Sequence, residues 1–185
     1  MPFIETPIKD LLIFEPKVFA DDRGYFFECY NQQAYEQQGL SYNWVQDNQA
    51  HNVRKGIIRG LHYQLNPHAQ SKLVRVLDGA IWDVAVDIRQ GSPTFGQWFG
   101  LELNATNKLQ LLIPRGFAHG YSVLSETAEV MYKCDNFYSK VSEGGILYND
   151  PQLAIDWKVD TADVLVSEKD AVLPLFKDCV NNFEL

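Results

Sequence analysis

The sequence predicts a mainly β protein, a jelly-roll barrel with short peripheral helices. Three observations carry this expectation. Short β patterns recur at regular spacing from Gly24 to Cys134, each broken by turn residues. Few stretches between them show a helical period. An Asp78-Gly79 pair, the strongest hairpin signal in the chain, separates two of the patterns.

Taken in order, Gly24 opens Tyr25–Tyr30, an aromatic-rich strand candidate, and residues 31–38 read as a short helix with Gly39 as its stop. Strand patterns then cover residues 57–64, 72–77, 80–88, 97–103, 108–113, 120–124 and 128–134. In the strand after Gly79, Trp82, Val84, Val86 and Ile88 form an apolar face. Ile81, Asp83, Ala85 and Asp87 form a mixed face whose carboxylates need water or a partner. After Val164 the chain reads as partly helical and packed on the outside. Residues 1–185 are expected to form a single jelly-roll domain with an N-terminal strand extension.

Composition narrows the function classes. A hydrophobic fraction of 46% supports a proper core, so disorder is not expected. A net charge of −8 repels nucleic acid and anionic membrane, but leaves open a small anion bound by the local field of a pocket. Cys29, Cys134 and Cys179 are scattered and form no C-x-x-C pair, which fits inert thiols in a reducing cytosol. The opening Met-Pro-Phe-Ile-Glu-Thr lacks the basic start and apolar run of a signal peptide, and no stretch reaches bilayer length. A cytoplasmic protein is expected.

Several common sites are absent. Neither the glycine pattern of a dinucleotide site nor that of a P-loop occurs, and H-E-x-x-H is missing. Ser122 lacks the second glycine of a nucleophile elbow. An enzyme built on this chain must therefore work with its own acids and bases.

Three segments hold such groups. The first runs from Gly56 through Arg59, His62 and Gln64 to Lys72. The second is a turn from Pro114 that delivers His119 at a strand start. The third carries Tyr132 and Tyr138. Each has an ordinary reading: a histidine among apolar neighbours is usually structural, and tyrosine is a normal barrel-core residue. Together they match proton abstraction beside a carbonyl. A neutral imidazole, with a free pKa of about 6.5, is a competent base at pH 7. Lysine and a second histidine can donate to a developing oxyanion, a tyrosine can return the proton from the other face, and arginines can hold a diphosphate. The rival is a metal cupin, because Pro114-x-Gly116-x-x-His119 resembles its second motif. Against it, His62 is followed by Tyr63 and Gln64 rather than further ligands, and cationic Lys72 opposes a divalent ion. No metal or other cofactor is expected.

An ordered set of segments resembles the dTDP-4-dehydrorhamnose 3,5-epimerase family. It comprises residues 22–28, Gln46-Asp47-Asn48, residues 58–64 around Arg59 and His62, and Lys72 to Val76. It continues through Trp82 to Arg89, residues 91–96, Pro114 to Gly120, Tyr132 and residues 165–170. The likeness spans about Phe19 to Asp170. It implies a cupin-like jelly roll without metal, usually a homodimer, acting on dTDP-4-dehydro-6-deoxyglucose. By the same likeness His62 is the base, Asp170 its orienting carboxylate, Tyr132 the acid and Lys72 the stabiliser of the enolate oxygen. His119 stands nearby, with Asp83 as its partner. Arg23, Glu28, Gln46, Asn48, Arg59, Tyr138, Glu143 and Lys169 fall on positions that contact nucleotide and sugar in relatives.

Asp170 has a simpler reading as a helix-start carboxylate, and Arg23 as a solvated turn charge. Arg75 and Arg89 read as ordinary surface or strand-end charges, and Arg115 as neutral. Ala50, His51 and Asn52 depart from the serines many relatives carry, leaving contacts there open. The alternatives to double epimerisation are a single-site (3- or 5-) epimerase of another deoxysugar pathway, a 3,4-ketoisomerase and a carbohydrate-binding module. His62 with Tyr132 argues against the ketoisomerase. A module without chemistry has no use for buried ionisable groups.

Overall fold

The computed structural model describes residues 3–185, so Met1 and Pro2, at the start of the expected N-terminal extension, lie outside it. The elements are β1 (Phe3–Glu5), β2 (Leu12–Phe14), β3 (Phe19–Asp21), β4 (Gly24–Phe26), α1 (Gln32–Glu36), β5 (Gln46–Asn52) and β6 (Ile58–Gln64). After them come β7 (Lys72–Asp87), β8 (Trp98–Asn104), β9 (Gln110–Ile113), β10 (Phe117–Cys134) and β11 (Glu143–Gly145).

Two long antiparallel strands organise the jelly roll. β7 and β10 pair from Phe117↔Asp87 to Cys134↔Lys72, with register shifts at Val123/Ala128 and Glu129/Val130. Their two halves recruit different neighbours. The Lys72 end of β7 pairs with β9, which continues to β2 and β1, while the facing half of β10 pairs with β5. The Asp87 end of β7 pairs with β8, and the facing half of β10 pairs with β6 and then β11. Each long strand thus serves two layers. Between the layers lies a core that includes Val74, Val76, Ile81, Leu103, Leu111, Phe117, Val123 and Val130. Fully burying each such apolar side chain stabilises the fold by about 1.5–3 kcal/mol relative to leaving it in water.

The Asp78-Gly79 expectation is corrected here. The pair makes no hairpin: the chain runs on through it, and the patterns at 72–77 and 80–88 merge into one strand that ends at Asp87. Gly79 adopts φ +74, and a Cβ there would meet the Thr127 carbonyl oxygen at 2.1 Å. A positive-φ residue serves a bulge as well as a tight turn, and here both flanks find partners along β10. The bulge changes which face each residue takes. Val74 and Val76 face the interlayer core before it, Ile81 and Ala85 after it. The patterns at 120–124 and 128–134 likewise belong to one strand.

Other elements are shorter than the pattern suggests. β4 ends at Phe26, and α1 covers Gln32–Glu36 with Asn31 as its cap, Oδ1 accepting from Ala34 N at 3.3 Å. The outer face of the first layer is covered by Phe14, Tyr35 and Leu73 with surrounding aromatics. The C-terminal segment contains only single 3-10 turns, and it lays Phe176 and Phe183 on Val84, Val86 and Ile88. That packing agrees with the expected apolar face of β7.

Arg89 is a second correction. It is buried, not a surface charge. Its Nε and Nη2 donate to the two Asp87 carboxylate oxygens at 2.9 and 2.8 Å, and Nη1 donates to Asp10 at 2.8 Å. Ser92 and Thr94 hydroxyls complete the Asp87 shell, and the guanidinium lies over the Phe117 ring. The network ties the N-terminal segment and the 92–94 turn to the start of β10. Arg75 is half-buried against Phe27, and Arg115 pairs with Asp135 at 3.1 Å.

Candidate active site

A cavity of about 520 Å³ is lined by Arg59, His62, Lys72, His119, Tyr121, Tyr132, Lys169 and Asp170 among others. A recess of about 330 Å³ adjoins it, sharing His62, Lys72 and Tyr132 and adding Gln46, Asn48, Tyr138 and Glu143. The whole predicted site set is therefore gathered in one cleft except Arg23 and Glu28.

Strand geometry explains the gathering. In a regular strand, residues three apart point to opposite faces. Arg59 and His62 nevertheless line the same cavity, because Gly60 lies between them at φ +119 where the β6–β10 register shifts. A Cβ on Gly60 would meet the Gly120 Cα at 2.6 Å, so only glycine permits this approach. His119 stands opposite His62 across the β6–β10 ladder, and Tyr132 opposite Asn48 across β10–β5.

His62 Nε2 lies 2.7 Å from Asp170 Oδ1. Asp170 Oδ2 accepts the Gly60 amide at 3.3 Å, and its own amide donates to Ser167 Oγ at 3.1 Å. Burial works against the Asp170 carboxylate, but the hydrogen bonds from His62 and Gly60 outweigh it and hold its pKa below the ordinary value. Asp170 also begins a 3-10 turn, as a helix-start carboxylate would, while its side chain is bonded to His62. The carboxylate fixes the proton on Nε2 and leaves the Nδ1 lone pair free.

A second imidazole is arranged the same way but is more deeply buried. His119 Nε2 lies 2.7 Å from Asp83 Oδ1, both side chains are buried, and Nδ1 faces Lys72 Nζ at 3.5 Å. Burial, helped by the Lys72 charge, lowers the His119 pKa, so this ring is neutral at pH 7. Burial lowers the Lys72 pKa as well. Lys72 Nζ also lies over the Tyr132 ring, 5.8 Å from its centre. Burial pushes the Tyr132 phenol up to about 12, which keeps it protonated at neutral pH. Among the described residues no three His, Cys, Asp or Glu side chains converge as metal ligands.

The recess is polar. Gln46 Nε2 donates to Asn48 Oδ1 at 3.0 Å, and Gln46 Oε1 accepts the Tyr138 amide at 3.1 Å. Glu143 accepts from Tyr138 OH at 3.3 Å and is paired with Lys169. Arg23 and Glu28 lie elsewhere: Arg23 is on the exposed β3–β4 turn, paired with Asp21, and Glu28 bonds Asn31. Tyr121 lines the cavity although no sequence motif singles it out, and Asn52, noted only as a departure from the serines of relatives, lies buried behind Arg59. Tyr121 was findable, since it shares the inward face with His119 two residues earlier.

The family model described as dTDP-4-dehydrorhamnose 3,5-epimerase matches residues 5–178. The chain belongs to that family. It is 55% identical to the dTDP-4-dehydrorhamnose 3,5-epimerase of Shigella flexneri over 92% of this chain and 93% of the relative. The crystal structure of the same-named enzyme from Elizabethkingia anophelis superposes with TM-score 0.92 at 55% identity, covering 96% of this chain and 97% of the other. The 3,5-epimerase of Legionella pneumophila, solved with dTDP-4-keto-L-rhamnose, superposes with TM-score 0.91 at 49% identity, covering 96% and 93%. Family and fold therefore stand as the resemblance implied, and the jelly roll is cupin-like.

Proposed function

We propose that this chain is an isomerase converting dTDP-4-dehydro-6-deoxy-D-glucose to dTDP-4-dehydro-L-rhamnose, with residues 1–185 acting as one epimerase unit. The observation that carries the mechanism is that His62, with its Asp170 partner, and Tyr132 line one cavity. His62 Nδ1 takes the proton from a carbon beside the C4 ketone. The C–H electron pair becomes the enolate double bond, and the carbonyl pair moves onto the C4 oxygen. Lys72 donates to that oxygen, with neutral His119 behind it. Tyr132 then delivers its phenolic proton to the opposite face of the same carbon, and the ketone re-forms with inverted configuration. C3 and C5 both flank this ketone, so one base serves both once the ring shifts, His62 releases its proton to solvent and Tyr132 regains one from it. Arg59 and Lys169 hold the diphosphate, and Gln46, Asn48, Tyr138 and Glu143 shape the adjoining recess.

A homodimer completes the reading. The β3–β4 hairpin leaves Phe19, Tyr25 and Phe26 exposed and holds Arg23 away from the cleft of its own chain. A second copy is the body against which this hairpin packs, with Arg23 and Glu28 reaching toward that copy's cleft. Among the described residues no helix is long and apolar enough to cross a membrane. Three free cysteines and a nucleotide-linked substrate suit a cytoplasmic location.

Incubation with the 4-keto sugar nucleotide in heavy water tests the reaction. Deuterium is expected at both C3 and C5, with activity unchanged by chelators. Label at one carbon alone would make the enzyme a single-site epimerase, and absence of label would remove the proposal.

A further inference from the structure

Asn52 takes no part in the chemistry above, yet its side chain is fully buried at the end of β5 beside the cleft. Its Nδ2 donates to the Ala128 carbonyl at 3.0 Å and to the Ala50 carbonyl at 3.4 Å, which fixes the orientation of the carboxamide. Oδ1 is thereby aimed at two residues that line the cavity. Arg59 Nε donates to it at 2.8 Å, and Tyr121 OH at 3.4 Å.

Arg59 is exposed, and its other hydrogen bond among the described residues runs from Nη2 to the His51 carbonyl at 3.4 Å. A guanidinium has five N–H donors. Anchoring Nε and one Nη2 hydrogen leaves the remaining donors at the tip, where they form a fork suited to phosphate oxygens. An arginine held this way loses less rotamer freedom on binding than a free one.

We infer that Asn52 is a positioning residue that pre-sets Arg59 to grip the diphosphate of the nucleotide sugar. This rests on the reading of Arg59 as a diphosphate ligand. Asn52 is absent from the cavity lining, and its contact with Arg59 is shorter than that with Tyr121, so its influence is expected chiefly at groups that Arg59 reaches.

Binding of dTDP and of thymidine to the full-length protein separates the possibilities. Asn52→Leu keeps the size of the side chain and removes the acceptor. It is expected to weaken dTDP by roughly tenfold, leave thymidine unchanged, and raise KM while kcat stays within about twofold. In an Arg59→Ala background the same change is expected to add nothing, because the partner through which it acts is gone. An equal loss in that background, or an equal loss for thymidine, would make Asn52 a structural residue only and overturn the inference. If Arg59→Ala alone leaves dTDP affinity intact, the diphosphate reading fails instead. Asn52→Ser, whose oxygen falls short of the guanidinium, gives the same comparison should the leucine variant fail to fold.

Discussion

His62 has one ring nitrogen committed to Asp170 and the other free toward the cavity, whereas His119 is committed to Asp83 and capped by Lys72. The two histidines are therefore not interchangeable. His62→Ala is expected to lower kcat by roughly 10²–10⁴-fold, and full activity would remove it as the base. In the proposed mechanism Lys72 assists only while charged, and burial lowers its pKa. The alkaline limb of kcat is thus expected below the free lysine value of about 10.4. It should move upward in Lys72→Arg, and a limb unmoved by that change would belong to another group. At this scale the groups that meet in the cleft were legible in the sequence because imidazole, ammonium and phenol are chemically distinctive. Asn52 was not, since a buried carboxamide gains its role only from the partners that folding brings to it.

At the scale of elements, glycine-centred irregularities matter as much as regular strands. Gly60 and Gly79 each reverse the alternation, placing Arg59 with His62 and carrying the inward face from Val76 to Ile81. The sequence marks where such a reversal occurs but not whether the chain turns back or bulges. That depends on whether β8, β9 and β10 offer partners to both flanks, which is long-range information. The Asp87–Arg89 cluster was missed for a similar reason: its partner Asp10 lies far away along the chain. Breaking a buried pair leaves an uncompensated charge, so Arg89→Met is expected to destabilise the fold by about 3–5 kcal/mol in denaturant unfolding. Burial opposes ionisation of Asp87, but its hydrogen bonds from Arg89, Ser92 and Thr94 win and hold its pKa below 3.8. The stability it contributes is therefore complete above the unfolded-state value and lost as pH falls through the lower folded one. The deficit of Asp87→Asn should shrink below about pH 4; a deficit constant with pH would contradict this account.

For the molecule as a whole, one cleft collects groups from β5, β6, β7, β10, β11 and the segment up to Asp170, so a jelly roll is the frame and a convergent set of ionisable side chains its content. Alternating patterns made that frame legible, while Arg23 and Glu28 stand away from the cleft of their own chain, and the proposed dimer is what would bring them to one. Mixed dimers of Arg23→Ala and His62→Ala chains are expected to regain activity if each hairpin serves its partner's cleft. Mixtures as inactive as the separate variants would confine each site to one chain. The most direct test of two-sided proton transfer is Tyr132→Phe in heavy water. With His62 intact and the opposing donor removed, the substrate should take up deuterium while keeping its configuration. Inversion at the native rate would contradict the assignment.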